Sequence, residues 1–178
     1  MSNYTITMAG NAILRQIAEP ISQEEFNTPE LIELTTALLD MMKSTGGVGL
    51  AAPQIGISKR IIALGVSDHA RNKRDITIPN QIIINPEFTP IDDTLEEDYE
   101  GCLSVGELVA KVPRYKKINY HGFDVYGNLI EDTVVDLHAR IIQHEVDHLD
   151  GILFLEKVAD EKSFIVYEEL KKLRQKAS

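Results

Sequence analysis

Two histidines four residues apart, in His144-Glu145-Val146-Asp147-His148, constrain this chain more than any other feature. On a helix that spacing stacks both imidazoles one turn apart on one face, close enough to share a divalent ion; an extended strand would hold them too far apart. Leu137, Ile141, His144 and His148 recur at helical offsets, which predicts a helix from Asp136 to about Asp150 with both histidines on its apolar face. Gly151 follows where a helix commonly ends.

The rest of the chain predicts what surrounds that helix. Thr28-Pro29-Glu30-Leu31 offers a cap, a proline for the first turn and an early acid, and so starts a helix that runs to about Lys43. Leu31, Leu34, Leu38 and Met41 give it one apolar face, and Ser44-Thr45-Gly46-Gly47 breaks it. Residues 60–66 (RIIALGV), 81–85 (QIIIN) and 118–126 (INYHGFDVY) are β-branched and aromatic between turn formers, and read as strands. Residues 68–80 and the acidic run 92–100 read as loops or edge connections. A last helix from about Asp160 is expected to turn Val166, Leu170 and Leu173 inward. Helix, strands, helix, helix is an α+β order, and the 178 residues suit one domain over 1–178.

Charge and cysteine usage exclude several classes. A formal net charge of -10 repels a phosphate backbone, so DNA is not expected as a partner. The opening residues show no basic start followed by an apolar run, and no stretch approaches the length of a membrane span. The single cysteine, Cys102, cannot form an internal disulfide and fits a reducing, cytoplasmic compartment. Lys171, Lys172, Arg174 and Lys176 cluster in the last helix, where cations favour the negative end of the helix dipole; a docking patch for an anionic partner is the alternative reading.

The histidine pair implies chemistry. Glu145 projects beside the imidazoles, and a glutamate so placed can take a proton from a water at the ion and pass it on, the hydrolytic reading of HExxH. A catalytic site of this kind needs a third protein ligand. Glu168, twenty positions after His148, is one candidate, but among Glu169, Lys171 and Lys172 it reads as part of a solvated face. Cys102 is the other: Gly101 before it lets the backbone bend tightly, although a lone cysteine equally suits a small buried apolar position.

Three segments together are far more specific. GVGLAAPQIG (47–56), EGCLS (100–104) and QHEVDHLDG (143–151) stand in the order of the peptide deformylase signature, and weaker similarity extends through INPEF (84–88) and Val112-Pro113-Arg114. The chain therefore resembles the bacterial polypeptide deformylase family, whose members remove the N-formyl group from newly made polypeptides. The resemblance implies antiparallel sheets packed around a central HExxH-bearing helix, with one N-terminal and one C-terminal helix. It implies Cys102, His144 and His148 as metal ligands and Glu145 as general acid and base. Gln54 and the backbone N–H of Leu103 become oxyanion donors, with Gly49 close to these groups. Val48 and Gly49 would pair with extended substrate, Gly101 belongs to the substrate-binding set, and Leu137 and Ile141 are candidates to line a methionine pocket, core packing being the alternative.

Ligand type suits zinc and also accepts iron, cobalt or nickel; the family implies Fe2+ in the cell, with Zn2+ or Ni2+ in preparations. It also implies N-formylmethionyl peptides as substrate and a ribosome contact through the C-terminal helix. Two positions depart from the pattern: Gly106 follows Val105 where many members have proline, and Val109 stands where some carry an arginine near the substrate. The competing readings are an HExxH metallo-endopeptidase with Glu168 as third ligand, and a non-catalytic metal-binding protein.

Overall fold

The structure, a computed structural model, describes residues 4–66 and 76–176. In chain order it contains α1 (Pro29–Thr45), β1 (Gly49–Ala51), β2 (Ile61–Val66), β3 (Ile78–Pro90), β4 (Leu95–Cys102), β5 (Gly106–Tyr115), β6 (Lys117–Phe123), β7 (Leu129–Val135), α2 (Asp136–Leu149), β8 (Ile165–Val166) and α3 (Tyr167–Lys176). The expected α+β class is what the structure shows, with antiparallel pairing in both sheets: β1-β2-β3-β6-β7 in one and β4-β5-β8 in the other.

Helix α1 starts as its sequence dictates. The Thr28 hydroxyl accepts the Leu31 N–H at 3.3 Å, and Pro29 occupies the first turn, where no N–H is needed. Gly46, at φ 68°, closes the helix in the left-handed region that favours glycine. The fully buried line is Leu31, Thr35, Leu38 and Met42, with Leu34 and Met41 half-buried, so the inward face is rotated slightly from the expected one.

The five-stranded sheet is covered on both faces where β2 crosses it, and strand geometry sorts the residues. Ile61 and Ala63 join Leu31, Leu38 and Met42 of α1 in one core cluster. Ile62, Leu64 and Val66, pointing the other way, join Ala139, Ile141, Ile142, Val146 and Leu149 of α2. A third cluster of Cys102, Ala110, Val112 and Phe154 lies under the smaller sheet. Helix α2 also touches β5, so the histidine-bearing helix meets both sheets. Its far end is held by Arg60, whose Nη1 donates to Asp150 at 2.7 Å, and by Ala18, whose N–H donates to the Leu149 carbonyl at 2.8 Å.

Three expectations need correction. The acidic run is not a loop: residues from Leu95 onward form β4, an edge strand of the smaller sheet, where exposed charge discourages unwanted pairing. The loop expected over 68–80 ends sooner, since β3 begins at Ile78; positions 68–75 lie outside the described residues. The last helix begins at Tyr167, after a short 3-10 turn at Glu161–Ser163 and β8. Leu170 alone of the three expected residues is buried. Val166 and Leu173 are 44% and 53% exposed, because a two-residue strand and a short terminal helix at the edge of a sheet have one buried line to fill. Among the described residues, no helix is long and apolar enough to cross a membrane.

Candidate active site

The three motifs meet. Ligand atoms of Cys102, His144 and His148 all lie within 4.8 Å of one another, and the Cys102 Sγ is 3.3 Å from the His148 Nε2. Cys102 is delivered by the end of β4, where the pairing with β5 shifts register between Gly101 and Cys102. That irregularity re-aims the thiol toward α2, a common use of a strand bulge. One thiol and two imidazoles suit a tetrahedral divalent ion with one open position.

The histidines are oriented differently. His144 Nδ1 lies 2.8 Å from Glu100 Oε2, which leaves its Nε2 as the donor to an ion. Burial opposes charge on His144, but hydrogen bonds to Cys102 and Glu100 outweigh it and raise its pKa well above the usual histidine value. His148 is buried, and burial together with the His144 and Arg114 charges pushes its pKa well below that value, toward the neutral ligand form. Its Nδ1 has no hydrogen-bond partner among the described residues.

Glu145 is 4% exposed, and its Oε2 is buried without a hydrogen-bond partner among the described residues. Burial first, and the Glu100 and Asp147 carboxylates after it, push its pKa up to about 7 against the opposing pull of His144. Gly49 explains how this side chain fits. A Cβ on residue 49 would lie 2.2 Å from Glu145 Oε1, so only glycine leaves room for the carboxylate there. Gly47 lies beside the motif around the cysteine without that constraint: its Cβ would lie 3.4 Å from Leu103 Cδ1, about an ordinary contact.

Gln54 sits on the buried 3-10 turn Ala52–Ile55 that follows β1. Its Oε1 accepts the Ala51 N–H at 2.8 Å, and its Nε2 donates to Cys102 Sγ at 3.4 Å and to Ser104 Oγ at 3.3 Å. Val48 immediately precedes Gly49, the first residue of β1, an edge strand that pairs with β2 alone among the described residues. Val48 is exposed. Gly101 packs face to face with Val109 across the β4–β5 ladder, where a Cβ would come within 2.9 Å of the valine Cγ1. Ile141 is buried in the α2 core cluster, and Leu137 is half-buried against it. Glu168 is remote from the cluster: its side chain is 58% exposed and pairs with Lys171.

Sequence reasoning missed the buried ionic network behind the histidines. Glu100 accepts from Arg114 Nε at 2.9 Å and Nη2 at 3.0 Å and from Arg140 Nη1 at 2.8 Å, and Arg114 Nη1 reaches Asp147. Burial works against a charged Glu100, yet the hydrogen bonds and charges of His144 and Arg114 hold its carboxyl far below the usual range. Asp147 and Glu100 stand inside the quoted motifs and Arg114 beside them, so a signal existed. Read one residue at a time, however, each was an ordinary charged residue.

Fold and cluster together define a class: metal-dependent hydrolases with two ligands and a glutamate on one helix and a cysteine from a neighbouring strand. The sequence model of the polypeptide deformylase family matches residues 3–164. Peptide deformylase 1 of Nitrosomonas europaea is 42% identical over 155 residues, covering 87% of each chain. Peptide deformylase 2 of Ralstonia nicotianae is 38% identical over 169 residues, covering 93% of this chain and 94% of its own. A class I type b peptide deformylase from Acinetobacter baumannii, solved with Met-Ala-Ser bound, superposes with a TM-score of 0.84 at 35% identity, over 87% of this chain and 98% of that one. The Thermotoga maritima enzyme superposes with a TM-score of 0.77 at 31% identity, over 88% and 98%. The chain belongs to the polypeptide deformylase family and is a metal-dependent enzyme; neither the endopeptidase nor the non-catalytic reading is favoured.

Proposed function

We propose that this protein, acting as one catalytic domain over residues 1–178, removes the N-formyl group from the N-terminal methionine of newly made polypeptides in the cytoplasm. The observation that carries the division of labour is the convergence of Cys102, His144 and His148 with Glu145 and the Gln54 amide around one buried point. Cys102, His144 and His148 would hold one divalent ion, taken as Fe2+ in the cell, with Zn2+ or Ni2+ able to replace it in purified protein. When bound, it supplies Lewis-acid polarisation and lowers the pKa of water.

The side chains do the rest. Glu145 takes a proton from the attacking water and delivers it to the departing amine, so the formyl C–N bond breaks and formate leaves beside a free N-terminus. The Gln54 amide and the Leu103 N–H stabilise negative charge on the formyl oxygen, by about 3 to 4 kcal/mol for each well-placed donor. The edge of β1 at Val48 and Gly49 accepts extended peptide as an added strand, Gly101 beside Cys102 belongs to the same substrate-binding set, and the Met-Ala-Ser-bound relative supports a short peptide as the ligand. Leu137, half-buried and backed by the buried Ile141, is the proposed apolar lining for the methionine side chain.

Gly49→Ala tests the packing behind this reading. The new methyl displaces Glu145, and kcat should fall by about a hundredfold, the usual cost of misplacing a reacting group by about 1 Å, with metal content unchanged. Product masses decide which bond is cut. Incubation with formyl-Met-Ala-Ser should remove the formyl group and leave the Met–Ala bond intact; cleavage of an internal peptide bond would instead make this an endopeptidase.

The basic C-terminal stretch is the proposed contact with the ribosome. Lys171 and Lys172 pair with Glu168 and Glu169, and Arg174 lies 3.5 Å from Asp98, so these exposed cations already have partners that RNA phosphates must replace. Removing the residues after Leu170 should reduce co-sedimentation with ribosomes at low salt. Unchanged co-sedimentation removes this element of the reading.

A further inference from the structure

Ser104 is wholly buried, and it stands two residues beyond the metal-ligating cysteine with a hydroxyl that the proposed chemistry does not use. A buried hydroxyl needs a hydrogen-bond partner, and this one accepts from Gln54 Nε2 at 3.3 Å. A glutamine side chain has several rotatable bonds and two nearly isosteric ends, so as an electrostatic donor it must be held in position and also held the right way round. An inverted amide would point an oxygen at the developing negative charge and repel it.

The surroundings of Gln54 settle both. The Ala51 N–H can only donate, so the amide end it meets at 2.8 Å must be Oε1. That places the –NH2 end between two acceptors, Ser104 Oγ at 3.3 Å and Cys102 Sγ at 3.4 Å. With one N–H on Ser104, the other is aimed at the cysteine corner of the metal cluster. Backbone bonds lock the two segments together: the Thr7 N–H donates to the Gln54 carbonyl at 2.8 Å, and the Ala9 N–H donates to the Ser104 carbonyl at 2.7 Å. The residues from Thr7 to Ala9 thus bridge the turn that carries Gln54 and the loop that carries Ser104.

We propose that Ser104 is a positioning residue for this reaction: its buried hydroxyl holds the Gln54 amide so that its second N–H, which meets Cys102 Sγ, stays turned toward the metal cluster beside which the oxyanion charge develops. The proposal rests on the oxyanion role assigned above to Gln54. A preorganised donor contributes because it needs no reorientation as charge develops, so its support should show in kcat and not in KM.

The test is a double-mutant cycle on nickel-loaded protein, read as formate release, with metal content measured for every variant. Ser104→Ala should lower kcat about tenfold, with KM within about twofold and one metal per chain. Gln54→Ala should lower kcat about a hundredfold. In the Gln54→Ala background, Ser104→Ala should change kcat by less than about twofold, because the hydroxyl then has no amide to hold. Ser104→Thr keeps the oxygen and should remain within about threefold of wild type. If Ser104→Ala does not fold, Ser104→Thr decides the question: a threonine variant that folds, holds metal and still loses kcat tenfold in both backgrounds overturns the proposal. A Ser104→Ala loss of equal size with and without the Gln54 amide also overturns it and leaves the oxyanion role standing. An unchanged kcat in Gln54→Ala alone overturns both.

Discussion

Replacing Glu145 by glutamine is expected to lower formate release about a thousandfold while leaving a folded protein with one metal per chain, the loss typical of removing a positioned acid and base. The substitution conserves shape, so the close fit against Gly49 survives. It removes the carboxylate proposed to carry a proton from water to the departing amine. The same change should raise the melting temperature of the metal-free protein. Glu145 is 4% exposed, and one carboxylate oxygen has no hydrogen-bond partner among the described residues, so burial disfavours its charge by more than His144 and Arg114 offset, and the charged form opposes folding. Higher stability with lost turnover is the signature of a group retained for chemistry. A variant within tenfold of wild-type kcat would show that the proton passes elsewhere.

Cys102→Ser is expected to abolish both metal retention and turnover. A serine hydroxyl stays protonated at neutral pH, whereas the thiolate is the form that binds a divalent ion. Loss of a residue that merely supports a ligand typically costs 10 to 100-fold in metal affinity, so loss of a ligand should cost more than about a hundredfold. Dialysed protein should then hold much less than one equivalent. Glu168→Gln, on the exposed face of α3, should leave metal content and kcat unchanged. The reverse pattern, metal kept by Cys102→Ser and lost by Glu168→Gln, would restore the endopeptidase reading.

What was legible in the sequence is what local physics dictates. The Thr28 cap, Pro29 and Gly46 delimit α1 because capping, a fixed φ and a left-handed stop act within a few residues. The histidine spacing fixes α2, because no other element stacks residues four apart so closely. What was not legible depends on distant partners. The run around Glu96 and Glu97 becomes a strand only because β5 pairs with it, and its acidic side chains are those an edge tolerates. β5 itself carries Pro113, which reads against a strand in isolation. Val166 and Leu173 have helical spacing from Leu170, but both stay exposed among the described residues, beside the two-residue β8 at the edge of the small sheet.

The site shows the same division. Cys102, His144 and His148 were named from their motifs, and the structure brings their ligand atoms together. The Glu100, Arg114, Asp147 and Arg140 network was missed although three members lie in or beside the motifs, because a charged residue reads as surface until its partner is known. Paired and buried, these groups hold the far side of His144 and neutralise one another close to the site.

The most direct test of the central claim is formate release from formyl-Met-Ala-Ser by protein purified without air and loaded with ferrous iron or nickel. Steady turnover by protein holding one metal per chain is the predicted result. No formate from protein shown to carry that metal would contradict the deformylase activity itself.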